Sequence, residues 1–201
     1  DLLLGMDKDE EAISLYQHLI KKFPSSDEAI GWWENILGVR VEQQVLPQVA
    51  KDTRTMVAFF NRSGLWVKNH SSNRDLLSDS YKATERRLLW IATKFHQEAE
   101  RLKQEEHYAT AAGLYDLFIQ EFDDSKHAYR VNFFYAEILF SRHKKYQAAL
   151  EQYQAVLGRS SKGDYTEDAA IGSVFCYDEL MAAAGVREKS KGSGQIKKVK
   201  L

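Results

Sequence analysis

Six histidines, one cysteine and a few close carboxylates are the residues of this chain whose types could do chemistry. The histidines stand at positions 18, 70, 96, 107, 127 and 143. A metal centre needs them paired at ligand spacing, as in H-E-x-x-H or C-x-x-C…H-x-x-x-H, and none of these spacings occurs. His96 and His107 fall on successive helical segments, which allows the two rings to approach each other, but a helix-surface role accounts for them as well. Glu105 and Glu106 are adjacent carboxylates, yet they stand at a helix end among lysines, where a solvated face explains them better than a general acid–base pair. The single cysteine, Cys176, lies in the apolar stretch "IGSVFCYDEL". No neighbouring base or cation marks it as a nucleophile, so it reads as a small buried hydrophobe. No Gly-rich phosphate loop and no G-x-S-x-G is present, so neither catalysis nor a cofactor is expected.

One further set of residues has a spacing that means something. Thr93, His96, Glu100, Lys103 and Gln104 recur along one helical face, and Phe134, Ile138, Ser141 and Arg142 recur along another. Lys103 and Arg142 have the chemistry to clamp a carboxylate. Phe134 and Ile138 have the chemistry to hold an apolar side chain of a peptide, or else to pack on a neighbouring helix. His96, Glu100, Lys103, Phe134, Ile138 and Arg142 are therefore the candidate partner-binding residues.

The elements that must position them are written in the sequence more than once. "EEAISLYQHLIKKFPSSDEA" (10–29) is matched by "ATAAGLYDLFIQEFDDSKHA" (109–128), with Ala12/Ala111, Leu15/Leu114, Tyr16/Tyr115, Ile20/Ile119, Phe23/Phe122, Ser26/Ser125 and Ala29/Ala128 superposed. A looser third copy, "YQAALEQYQAVL" (146–157), places Ala149, Tyr153 and Val156 at the positions of Ala111, Tyr115 and Phe118. Within 109–128 the apolar residues fall at helical spacing, with the small Ala111 admitting a neighbouring helix. "FPSSDEA" and "FDDSKHA" stop one helix and start the next, with Ser25, Ser26, Asp124 and Ser125 as capping candidates. A partner helix is predicted over 79–106, capped by Ser78 or Asp79, and another over 128–144. The unit is helix, turn, helix, and the 99 residues between the two best copies leave room for about three units of the low thirties.

Residues 1–37 read as one unit, 38–76 as a degenerate helical region with Pro47 and a polar loop "KNHSSNRD", and 77–184 as two to three further units. Residues 185–201 read as a basic linker, with six Lys/Arg against one Glu. Trp32, Trp33 and Trp66 cluster around the degenerate region, as core or as a surface for self-association.

The 201 residues carry a formal net charge of −1, with 44% hydrophobic and 28% charged residues, the composition of a cored protein. Without the basic tail the remainder is acidic, so nucleic acid is not an expected partner. No apolar run reaches the roughly 18–20 residues of a membrane-spanning helix. The opening "DLLLGMDKDEEA" reads as the end of a helix already under way, as in a piece cut from a longer protein.

These residues resemble tetratricopeptide repeats. The matches are Ala12, Tyr16, Leu19 and Pro24; then Ala99, Tyr108, Ala111, Tyr115 and Phe118; then Phe133, Tyr146, Ala149, Tyr153 and Val156. Asp123 and Ser161 stand where that family places its turn proline, and 38–76 scarcely conforms. The stretch from His107 to Leu157 is similar in phrase order to repeat proteins of the Gram-negative envelope. These are the outer-membrane assembly lipoprotein, the TolA-binding division coordinator, and large periplasmic repeat proteins of the Bdellovibrio and myxobacterial type. The resemblance implies an all-α superhelical array of antiparallel helix pairs, acting as a scaffold for a protein or peptide. It implies an envelope or periplasmic location, with any membrane attachment indirect. A self-associating repeat domain, a regulatory repeat joined to an enzyme, and a cytoplasmic location are the alternatives.

Overall fold

A computed structural model describes residues 8–186, and among them every regular element is a helix. The expected helix end before Asp9 and most of the basic tail lie outside the described residues. The chain divides into two compact units, residues 1–92 and 93–201. Among the described residues no helix is long and apolar enough to cross a membrane.

In the first unit, α1 (Asp9–Lys22), α2 (Ala29–Gln43), α3 (Leu46–Phe60) and α4 (Leu65–Asn69) follow one another. Each packs on its neighbour in sequence. The stretch 38–76 is thus more regular than its sequence suggests. Pro47 does not break a helix; it opens α3 at its first turn, where its missing N–H costs nothing. Half-buried Arg40 on α2 faces buried Asp52 on α3 at 3.5 Å, and Gln48 donates to the same carboxylate at 2.7 Å. α4 and the residue after it hold the α1–α2 turn. Trp66 Nε1 donates to the Ser26 carbonyl at 2.9 Å, Asn69 donates to Ser25 Oγ at 2.6 Å, and His70 Nε2 sits 3.0 Å from Asp27. Trp33 and Trp66 are buried, so neither belongs to a self-association surface; the exposed tryptophan is Trp90.

The helix α5 (Arg74–Leu102) runs from the first unit into the second. It starts earlier than the expected cap at Ser78 or Asp79, because Asn73 Oδ1 accepts the Leu76 N–H at 3.2 Å and performs the capping. It also stops earlier than 106. Lys103 adopts a left-handed conformation, φ 56°, with its N–H on the Ala99 carbonyl at 2.8 Å. That closes α5, and Glu105 and Glu106 become the acidic first turn of α6 (Glu105–Glu121), on the favourable side of its dipole. α7 (Ala128–Ser141), α8 (Tyr146–Arg159) and α9 (Thr166–Ala183) complete the second unit, each packed on its predecessor.

The two matched turns have the same anatomy. Phe23 N–H bonds the Leu19 carbonyl and Phe122 N–H the Phe118 carbonyl, both at 2.8 Å. The Ser26 and Ser125 N–H groups then bond the Phe23 and Phe122 carbonyls, both at 3.0 Å. Ser26 Oγ accepts from Glu28 N–H at 3.2 Å and Ser125 Oγ from His127 N–H at 2.9 Å. These short serine turns discharge backbone donors just ahead of the next helix. Their helices differ in cover. Leu114 and Phe122 on α6 are buried, whereas Leu15 and Phe23 on α1 are exposed.

Lys144 (φ 52°), in the connection from α7 to α8, is also left-handed and is exposed. Glycine takes that conformation without a Cβ penalty. Lys144→Gly is expected to stabilise the fold by up to about 1 kcal/mol, read as a higher urea midpoint. An unchanged or lower midpoint would show that the lysine side chain contributes more than the backbone strain removes.

Candidate functional site

The carboxy-terminal end of α5 places His96 and Glu100 at i and i+4 on one helical face, and the left-handed Lys103 follows just past its end. α6 brings Tyr108 to the same place, and the end of α7 brings Arg142. These residues form one chain of hydrogen bonds. Arg142 Nη2 donates to the Tyr108 hydroxyl at 2.8 Å, and that hydroxyl donates to Glu100 Oε1 at 2.7 Å. Lys103 Nζ donates to Glu100 Oε2 at 2.9 Å. The Arg142 guanidinium also lies over the Tyr108 ring, 4.3 Å from its centroid, and 3.6 Å from Glu100.

Lys103 and Arg142 were expected to clamp a partner's carboxylate; in the structure both stand at the chain's own Glu100. Burial alone raises its pKa. The Tyr108 and Lys103 hydrogen bonds and the two positive charges outweigh burial and draw it down to about 2. Tyr108 is held above the usual phenol range by burial and by donating to Glu100.

His96 is buried beneath this network. Its Nδ1 lies 3.2 Å from the Tyr115 hydroxyl, and its ring meets Tyr108, Tyr115 and Phe134 edge-on. Burial lowers its pKa to about 4 against the attraction of Glu100, so the ring is neutral at physiological pH. His107 does not join it; it lies against Phe95, with Nε2 3.8 Å from Glu98.

Two expected members of the surface are corrected. Phe134 is 6% exposed and Ile138 1% exposed, so neither is presented to a peptide. Phe134 packs among His96, Phe133 and Tyr165, with ring centroids 5.4–5.8 Å away. The packing alternative weighed for these two residues is the one realised. Of the remaining face, Thr93 hydrogen-bonds Tyr115, Ser141 Oγ donates to the Glu137 carbonyl at 2.6 Å, and Gln104 is exposed at the start of α6. The residue that sequence reasoning missed is Tyr108. It was legible as a repeat aromatic, but nothing in the sequence marks it as the hydroxyl joining Arg142 to Glu100.

A carboxylate held near pKa 2 is a poor base, and a buried imidazole near pKa 4 is a poor acid at neutral pH. Cys176 is buried, and burial, then Glu137, push its thiol up to about 12. Among the described residues no three His, Cys, Asp or Glu side chains gather as a metal site. What the arrangement does hold is a polar rim of Glu100, Lys103 and Arg142, each between about a third and a half exposed, above an aromatic floor.

No family model, curated protein or solved structure matches the chain. The structure by itself defines the class: an all-helical chain whose helices pack in sequence-adjacent pairs.

Proposed function

We propose that the chain is a non-catalytic interaction scaffold of the tetratricopeptide-repeat kind. The observation that carries this reading is the duplicated turn. Phe23–Ala29 and Phe122–Ala128 repeat the same backbone and serine hydrogen bonds 99 residues apart. A module written twice with the same joint belongs to architectures that stack helical hairpins and present their surfaces to proteins. The partner is a protein or peptide, and a cell-envelope complex is the setting the sequence resemblance favours. The rim of Lys103 and Arg142 is the face offered, and an acidic partner group engages it by displacing Glu100.

Photo-crosslinking tests this. Benzophenone side chains are placed at the exposed positions Arg101, Gln104 and Lys145, and the protein is exposed to envelope and cytosolic fractions of its source. A discrete protein adduct, weakened in Lys103→Glu/Arg142→Glu and strengthened in Glu100→Gln, is the expected result. If no position captures a discrete protein, the scaffold reading fails. If capture survives in the double variant, the rim is not the binding face.

A further inference from the structure

The connection from α3 to α5 contains a histidine whose two ring nitrogens both meet acceptors. His70 Nδ1 lies 2.7 Å from the Trp66 carbonyl oxygen, and Nε2 lies 3.0 Å from Asp27 Oδ1. A carbonyl oxygen cannot donate, and this one already accepts the His70 backbone N–H at 3.2 Å. An ionised carboxylate cannot donate either. A neutral imidazole carries one N–H, so it would set a bare nitrogen lone pair against one of these oxygens. The ring that carries both protons satisfies the two contacts together.

The surroundings favour that charge. The ring stacks on Trp66, with centroids 4.1 Å and planes 28° apart, and an indole face attracts a cation. The His70 side chain is 11% exposed, so little water reaches it to replace a lost partner. Asp27 is the charged group that the α1–α2 turn sets against the ring. From α3 the side chain that reaches this corner is Phe60, edge-on to Trp66 at 5.0 Å. Glu28 beside Asp27, Lys68 on α4, and Arg74 and Asp75 at the start of α5 are exposed. The matched turn of the second unit has Lys126 where the first has Asp27, so it cannot repeat this pairing.

We infer that His70 is an imidazolium in the folded protein at neutral pH and acts as a proton-dependent latch between α4 and the α1–α2 turn. The latch closes a circuit. Trp66 Nε1 holds the Ser26 carbonyl, the Trp66 carbonyl holds His70, and His70 holds Asp27, next to Ser26. Its contribution is complete below about pH 6.5, where a histidine of the unfolded chain is charged as well. Above that, the folded chain keeps a proton that the unfolded chain has lost, so stability falls as pH rises, until the folded ring loses it too. Deprotonation leaves the Asn69–Ser25 and Trp66–Ser26 bonds in place, so the joint loosens without opening. This inference concerns the first unit and stands apart from the reading of the Glu100 rim.

Proton–nitrogen correlation spectra of the histidine rings in the full chain test this. The His70 signals are those that vanish in His70→Gln and move in Asp27→Ala. At about pH 7.5 both His70 nitrogens are expected to resonate as N–H nitrogens. In Asp27→Ala the same ring is expected to show one N–H and one bare nitrogen at that pH. Asp27 is 68% exposed, so its replacement leaves the core intact. The thermal midpoint gives a second reading. The gap between the protein and His70→Gln is expected to narrow by about 2–4 °C between about pH 6 and pH 9. Carboxylates elsewhere titrate alike in both chains and cancel in that difference. A bare nitrogen on His70 at pH 7.5 in the unaltered protein overturns the inference. A ring that keeps both protons in Asp27→Ala, or a gap that does not change with pH, overturns the latch.

Discussion

Substituting leucine for Gly172 is expected to cost more than about 3 kcal/mol and to separate α9 from α8. Gly172 lies on the inner side of α9, and a Cβ there would stand 2.5 Å from Tyr153 Cζ. The tyrosine cannot yield. Its ring is fully buried, packs against Phe133 and is held through its hydroxyl on Glu137. Even Gly172→Ala is expected to lose about 1–2 kcal/mol, although alanine in a helix interior ordinarily gains up to about 1 kcal/mol over glycine. Gly158, near the end of α8, supplies the opposite case. No heavy atom lies within 4 Å of a Cβ built there, so Gly158→Ala is expected to stabilise by about 0.5–1 kcal/mol. Urea denaturation followed by far-UV circular dichroism reads both. If the two alanine variants shift the midpoint in the same direction, the close packing of α9 on Tyr153 is refuted.

Glu100→Gln and Glu137→Gln are expected to change stability in opposite directions at neutral pH. The two residues are equivalent in sequence, each following an alanine (Ala99, Ala136) near the end of a helix. Each accepts a hydrogen bond from a tyrosine of the next helix, Tyr108 for Glu100 and Tyr153 for Glu137. Their surroundings differ. Glu100 also has Lys103 and Arg142, and its folded pKa of about 2 lies below the unfolded value. Its contribution is present above the ordinary carboxylate range, about 4.3, and is lost as pH falls toward 2. Among the described residues no Lys or Arg pairs with Glu137. Burial, and to a lesser degree Asp168, raise its pKa against the Tyr153 hydrogen bond. The folded state favours the protonated acid, so stability is highest below the ordinary carboxylate range and declines as pH rises through the folded value.

Glutamine preserves the tyrosine's acceptor in both cases. At Glu100 it removes two charge-assisted contacts, a loss of about 1 kcal/mol for a group one-third exposed. At Glu137 it removes only a buried charge, so the thermal midpoint at pH 7–8 rises and the gain shrinks toward pH 4. A midpoint lowered at pH 7 by Glu137→Gln would contradict this assignment of the buried carboxyl.

The helices and the turns between them were legible because their signals are local. Ala111, Tyr115 and Phe118 fall on one stripe, and Ser26 and Ser125 sit at turns whose chemistry a short window specifies. The convergence of Lys103 and Arg142 was legible as well, since both stand on the polar side of successive helix ends. Which apolar residues reach the surface was not. α7 reads "AYRVNFFYAEILFS", apolar nearly all round, so periodicity does not tell its covered side from its open one. Phe134 and Ile138 were therefore open to either placement, and helices on both sides of α7 bury them. The start of α5 was missed because "KNHSSNRD" looks like a loop, while its asparagine caps the helix. The opposite characters of Glu100 and Glu137 were hidden because their difference is a matter of non-local neighbours: Arg142 stands 42 residues from the first, and Asp168 stands 31 from the second.

The packing of each helix chiefly on its predecessor and successor also governs how the chain acquires its structure. Contacts close in sequence require only short loops to be closed, and such topologies fold in about a millisecond or less. The Phe122–Ala128 turn, with its serine bond and flanking aromatics, is a short connection that brings α6 and α7 together, which makes it a natural nucleus for the second unit. Growth from it adds one helix at a time, α8 onto α7 and α9 onto α8. Amide exchange in native protein would then deepen toward that turn and be shallower in α9, the last helix added.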